Sequence, residues 1–140
     1  MNAERRELAV GAEALGASLA GETIDRMLRL LDLLEKWNRA YNLTAVREPS
    51  EMVSRQLLDS LSLLPWLSSD ALLDVGAGGG LPGIPLAIVR PDQRFTLLDS
   101  NSKKTRFLTQ CVLELKLNNV DVVHGRAEDC EPGVGYTQIS

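Results

Sequence analysis

The chain is poor in the residues that build metal centres and disulfide frameworks. Its 140 residues include two cysteines, Cys111 and Cys130, and one histidine, His124. The cysteines lack paired metal-ligand spacing, and one histidine makes a zinc site improbable, so two reduced thiols and no metal are expected. No apolar run reaches the ~18 residues of a membrane span, and no membrane partner is expected. The opening MNAERRELAVGAEALG lacks the apolar core and cleavage site of a secretory signal. Together these features predict a cytoplasmic protein. Excess positive charge is lacking too: the net charge is −4, which argues against coating nucleic acid by charge alone. A local basic patch remains compatible with that balance. Arg90, Arg94, Lys103, Lys104 and Arg106 share a short span whose only acids are Asp92 and Asp99. That span reads either as a solvated helix face or as a phosphate-contacting one.

What is present is an ordinary globular composition with a change of pattern near residue 68. Before it the pattern is helical. ETIDRMLRLLDLLEKWNRAYN carries Ile24, Met27, Leu28, Leu31, Leu34 and Trp37 at spacings of three and four. Gly21 and Glu22 mark its start. A second helix is predicted over PSEMVSRQLLDSLSLLPWL, begun at Pro49 or Ser50 and ended or kinked by Pro65. The first twenty residues read as a short alanine-rich helix, frayed at its start. After residue 70 the pattern alternates: ALLDV strand, IPLAIVR helix, RFTLLDS strand, SKKTRFLTQCVLELKL helix, VDVVHG strand, with GYTQIS able to begin a fourth strand. Phe107, Leu108, Cys111, Val112 and Leu115 share one face of the second of these helices. This order predicts an α/β fold with a parallel sheet. The expected division is residues 1–68, a helical N-terminal extension, and residues 69–140, the N-terminal half of a doubly wound domain. Three strands with a fourth beginning are about half of the usual sheet. A C-terminally truncated chain is therefore expected, with an exposed sheet edge and apolar surface leading to marginal stability or self-association.

The stretch DVGAGGGLPGIP, residues 74–85, packs five glycines and two prolines between the first strand and the next helix. Such a turn lets a ligand approach bare backbone. A Walker loop is excluded, because Leu81-Pro82 stands where Lys-Ser or Lys-Thr would be needed. Gly78, Gly80 and Gly83 fit the dinucleotide fingerprint G-x-G-x-x-G, yet Pro82 and Pro85 each remove an N–H where a pyrophosphate wants donors. A third ligand is S-adenosylmethionine, which has no phosphate but offers a ribose diol, an adenine, a zwitterionic end and a sulfonium. Asp74 closes the first strand. Asp99 closes the second, placed to accept hydrogen bonds from ribose hydroxyls. Ala127 and Glu128 follow the third, where adenine would lie. All fall at the carboxyl edge of a parallel sheet, where ligands bind. Each has a plainer alternative: Asp74 caps the glycine turn, Asp99 caps the following helix, Glu128 is surface charge, and the glycines serve close packing.

Beyond these local readings, WNRAYNLTAVREPSEM, LLDSL, LLDVGAGGGLPGIPLAI, FTLLDSNSKKTRFL and VVHGRAED together resemble one family. It is the bacterial small-subunit ribosomal RNA methyltransferase G family, also called glucose-inhibited division protein B. The likeness runs from about residue 35 to residue 130, and the pairing of GLPGIP with LLDSNSKKTRFL is its most specific part. The resemblance implies a Rossmann-like, class I S-adenosylmethionine-dependent methyltransferase fold with a helical N-terminal extension, its parallel sheet incomplete here. It also implies methylation of N7 of one guanine in 16S ribosomal RNA, with that RNA or the small ribosomal subunit as partner. By the resemblance Gly76, Leu81, Ala127 and Glu128 line the cofactor site; the local reading of the loop and strand ends adds Asp74, Gly78, Gly80 and, for the ribose, Asp99. Two departures stand out. Gln56 occupies a position where the family usually carries histidine, and the family's later arginine-alanine-phenylalanine segment is absent, which leaves the activity of this chain open.

Guanine N7 carries a lone pair and no proton, so its methylation needs positioning and no general base, and no catalytic base is assigned. Lys103, Lys104 and Arg106 are the candidates for RNA phosphate contact. Asn38, Arg39, Tyr41 and Asn42 form a second polar stretch, functional or simply a capped helix end. The competing readings are a nicotinamide-dependent oxidoreductase half, a non-catalytic fragment that retains cofactor binding, and a purely structural domain. Oligomeric state is not legible.

Overall fold

The computed structural model describes residues 3–41, 56–67, 71–76, 80–126 and 136–138. Helix α1 (Ala3–Ala14) is followed by the long α2 (Gly21–Tyr41), which ends at the expected place. On α2, Ile24, Met27, Leu31 and Leu34 are buried as their spacing predicts, and Leu28 and Trp37 pack partly against the core. Leu30 and Leu33 are buried as well, because α1 and two later helices cover α2 from more than one side. The helix expected over residues 49–67 appears as α3 (Leu58–Leu61), then a 3-10 turn Leu64–Trp66 that holds Pro65 in its first positions. The α-helix thus stops before the proline, which has no N–H to continue it. The expected start at Pro49 or Ser50 lies outside the described residues.

Strand β1 (Ala71–Val75), helix α4 (Gly83–Val89), strand β2 (Phe95–Asp99), helix α5 (Ser102–Glu114) and strand β3 (Val120–His124) follow in the predicted alternation. Tyr136–Gln138 forms β4, the fourth strand. The described sheet has the order β3-β2-β1-β4, with every pair parallel. The fold is therefore α/β, Rossmann-like, with a helical N-terminal segment. All five residues of β2 are buried, as a parallel strand covered on both faces requires. By strand alternation Leu72, Phe95 and Leu97 belong to the core shared with the helices, while Leu73 and Leu98 are buried toward the opposite face.

One apolar core runs from α1 and α2 through α4 and α5 to the sheet. Arg29 reaches Glu114 at 2.6 Å and so ties α2 to α5, and Arg5 pairs with Asp25 between α1 and α2. The Gln110 amide first, and Arg29 with it, hold the Glu114 carboxyl below its ordinary range. A lowered folded-state pKa means that this link stabilises the fold above the unfolded carboxylate pKa. The contribution is lost as pH falls through the folded value. Burial, with Glu114 adding to it, pushes the Cys111 thiol far up, so this cysteine is a core residue without thiolate character.

Helix α5 ends with the Leu117 N–H donating to Val112 at 3.0 Å and the Lys116 N–H to Leu113 at 3.3 Å, and Lys116 takes a φ of 53°. This is a Schellman end with lysine where glycine is usual. The left-handed conformation costs an L-residue about 1–2 kcal/mol, partly offset by the ~0.5–1 kcal/mol entropic cost of glycine. Lys116→Gly is expected to stabilise the protein by about 0.5–1 kcal/mol, seen as a higher urea midpoint at unchanged slope. A lower midpoint would contradict this reading of the turn.

Candidate active site

The carboxyl ends of β1, β2 and β3 meet at a cleft of about 440 Å³. Gly76 and Asp99 line it, together with Ser100, Lys104, Gly125 and Arg126. The strand ladder continues into this rim: the Gly76 N–H donates to Leu98 at 2.8 Å and the Gly125 N–H to Asp99 at 3.0 Å. These bonds hold the turns after β1 and β3 in register with β2. Gly76 has a φ of 73°, and a Cβ built on it meets no atom of the described residues within 4 Å. Its backbone therefore needs glycine, and the space beside it is open to a ligand.

Asp99 is 8% exposed, and its Oδ1 accepts the Asn101 N–H at 2.8 Å. The expected alternative, Asp99 as helix cap, is corrected by the geometry. Asn101 is the N-cap of α5, its Oδ1 accepting from the Lys103 N–H at 2.9 Å and the Lys104 N–H at 3.2 Å. Asp99 orients the capping residue and stands at the cleft wall.

Asp74 is fully buried and its Oδ2 accepts the Gly83 N–H at 3.1 Å, the capping role that was its plainer reading. It underpins the glycine turn without lining the cleft. Helix α4 approaches the sheet closely here. A Cβ on Gly83 would lie 2.4 Å from Leu97 Cδ2 and 2.8 Å from Asp74 Oδ2. Gly83→Ala is expected to cost about 1–3 kcal/mol through overpacking and to pull Asp74 from its bond. Chemical denaturation checks this, and an unchanged midpoint would show that α4 is free to move outward.

The donors at the start of α4 decide what the glycine turn can hold. The Gly83 N–H goes to Asp74, the Ile84 N–H to Gly80 at 2.7 Å, the Leu86 N–H to Pro82 at 3.3 Å, and Pro85 has none. Every N–H of the first turn is spent inside the protein. A pyrophosphate at a helix N-terminus draws on such donors, and at the start of α4 those of Gly83, Ile84 and Leu86 are already taken, which weighs against the dinucleotide reading. A nucleoside ligand without phosphate does not need them. The cleft also lies within the ~300–1,000 Å³ range of small-molecule sites, and an acid stands at the end of its second strand.

The other predicted residues are distributed as follows. Gly80 takes a φ of 82° and is packed under Ile84. Leu81 faces a neighbouring cavity of about 310 Å³ with Gln56, Asp59 and Pro82. Gly78, Ala127 and Glu128 lie outside the described residues, as does Asn42. Asn38 is buried in α2, and Arg39 pairs with Glu35 at 2.9 Å one turn away. The basic span does not form one face. Arg90 donates to the Leu64 carbonyl at 3.2 Å and Arg94 pairs with Asp121 at 2.5 Å, both holding the fold. Lys104 lines the cleft, while Arg106 lines a separate cavity beside β3. Ser100, Gly125 and Arg126 were missed as site residues. Their signal was position alone, directly after the ends of β2 and β3.

Known proteins resemble this chain over most of its length. Residues 23–139 match the family model described as rRNA small subunit methyltransferase G. The chain is 67% identical over 134 residues to the ribosomal RNA small subunit methyltransferase G of Marinobacter nauticus, which covers 96% of this chain and 63% of the relative. It is 63% identical to that of Pseudomonas paraeruginosa, over 90% of this chain and 59% of the relative. It is 55% identical to that of Pseudomonas syringae pv. tomato, over 96% and 64%. The chain thus spans about three-fifths of the length of the curated relatives it matches. With a family model matched over most of its length, the chain belongs to the rRNA small subunit methyltransferase G family.

Proposed function

We propose that the cleft binds S-adenosylmethionine and serves methylation of guanine N7 in 16S ribosomal RNA, in the cytoplasm. The observation that carries this reading is the pairing of Gly76 and Asp99 across a nucleoside-sized cleft with a glycine turn whose helix has no N–H left for phosphate. When bound, the cofactor supplies a methyl group on a sulfonium. Asp99 accepts hydrogen bonds from the ribose hydroxyls, and Gly76 lets the ligand lie against backbone. Gly78, Gly80 and Leu81 shape the turn around it, with Asp74 fixing the turn from below. Ala127 and Glu128 border the adenine. We assign residues 1–68 to a helical extension, whose α2 packs on α4 and α5 and whose α3 packs on α4, and residues 69–140 to the methyltransferase half.

Guanine N7 needs no deprotonation, so the chain's task is to hold the ring in line with the methyl group and exclude water. Lys104 at the cleft, with Lys103 beside it on α5, is suited to the phosphates of the RNA strand that delivers the guanine. The test is transfer of labelled methyl from S-adenosylmethionine to 16S ribosomal RNA, followed by digestion to nucleosides. Label in N7-methylguanosine is expected. Label in another nucleoside, or none from a folded chain that binds S-adenosylhomocysteine, would overturn the assignment of substrate.

A further inference from the structure

A second cavity, of about 420 Å³, lies between the C-terminal half of α2, the outer side of α5 and the end of β3. Trp37, Arg106, Thr109, Gln110 and His124 line it, and among the described residues none that lines it is a carboxylate. Trp37 rests its ring against Phe107, with centroids 5.8 Å apart and planes tilted by 59°, and the half-buried indole forms the aromatic part of the wall. Arg106 is exposed and, among the described residues, forms no ion pair. His124 joins the two cavities. Its Nε2 lies 2.9 Å from the carbonyl oxygen of Ser100, a residue of the cofactor cleft. A carbonyl only accepts, so Nε2 carries the proton. His124 is also the register partner of Asp99.

We infer that this cavity is a subsite for a nucleotide of single-stranded RNA beside the one that enters the cleft. The inference rests on the RNA-methyltransferase reading above. An aromatic side chain next to an unpaired guanidinium and neutral donors is the combination that takes a base by stacking and its phosphate by charge. The one charged side chain among the described lining residues is the cation Arg106, which favours an anion although the chain as a whole is acidic. Contact through His124 and Ser100 places the subsite next to the cofactor cleft. A strand crossing β3 would thus meet Arg106 at one site and Lys104 at the other. This explains why these two cations, two positions apart on α5, face different cavities.

The test uses the full chain with Trp66→Phe, which leaves Trp37 as its single tryptophan; Trp66 is 84% exposed and stands apart from both cavities. Short guanine-containing single-stranded RNA is titrated while Trp37 fluorescence is followed, in this background and with Arg106→Glu or Thr109→Glu added. Saturable quenching is expected. Each added acid should lower RNA affinity by about tenfold or more and abolish the quenching, with affinity for S-adenosylhomocysteine unchanged. RNA binding without any change at Trp37, no RNA binding at all, or equal affinity in both acidic variants would overturn the subsite. Failure of the methyltransferase reading would show separately, as loss of S-adenosylhomocysteine binding in the parent chain while Trp37 still reports RNA.

Discussion

Asp99→Asn is expected to lower affinity for S-adenosylhomocysteine roughly ten- to a hundredfold, the equivalent of one charge-assisted hydrogen bond of about 1.5–3 kcal/mol. The asparagine keeps an Oδ1 to accept the Asn101 N–H, now at 2.8 Å, so the cap of α5 survives. What it loses is the carboxylate that the proposed site offers to the ribose diol. Asp99→Ala removes both functions: it should lose cofactor affinity at least as severely and also lower stability, because the segment that presents Asn101 is released. The two variants therefore separate ligand binding from helix capping. Calorimetric titration gives the affinity and thermal unfolding gives the stability. Unchanged affinity in a folded Asp99→Asn protein would place the ribose elsewhere.

The largest stability effect is expected at Asn119. Its Nδ2 donates to the carbonyl oxygens of Ala87, Arg90 and Gln93, each at 3.0 Å, and the residue is 7% exposed. One amide thus closes the last turn of α4 onto the loop before β2. The Asn119 carbonyl in turn accepts the Phe95 N–H at 2.8 Å, aligning β3 with β2. Asn119→Asp replaces the two-hydrogen donor with a carboxylate facing three carbonyl oxygens. Leaving those acceptors without a donor and burying an unpaired charge is expected to cost about 3–5 kcal/mol at neutral pH. A domain with only ~5–15 kcal/mol in total would lose much of its stability. The new carboxyl would have its folded-state pKa raised by desolvation and by the carbonyl dipoles. The penalty is therefore full above that folded pKa and shrinks as pH falls and the acid becomes a donor. Urea unfolding at neutral and mildly acidic pH checks both parts. A loss below about 1 kcal/mol, or one that grows toward acid, would contradict the account of this junction.

Asn119 also shows where the reading from sequence runs out. The alternation of strands and helices after residue 70 was legible because each element carries its own period. Ile24, Met27, Leu31 and Leu34 on α2, and Phe107, Leu108, Cys111 and Leu115 on α5, are buried as their spacing says. Leu30 and Leu33 were not predicted, since periodicity marks one face and α2 is covered on several. Asn119 has no local signal: its partners lie 26 to 32 positions away. Gly76 and Asp99, picked out at the ends of the first two strands, do line one cavity. The allocation of cations was not legible. Lys103, Lys104 and Arg106 look like one basic run in sequence, and two positions are more than half a turn of helix, which sends Lys104 to the strand-edge cleft and Arg106 to the cavity beside β3. The start of α5 at Ser102 was read correctly; the cap was not, because the residue directly before that start is Asn101, while Asp99 lies two positions further back and holds the Asn101 N–H instead.

The central claim is that the glycine turn and Asp99 form a site for a nucleoside without phosphate. Its most direct test is calorimetric titration of the 140-residue chain with S-adenosylhomocysteine and, in parallel, with nicotinamide adenine dinucleotide. Saturable binding of S-adenosylhomocysteine with no heat from the dinucleotide is the predicted result. Binding of the dinucleotide, or a folded chain indifferent to S-adenosylhomocysteine, would contradict it.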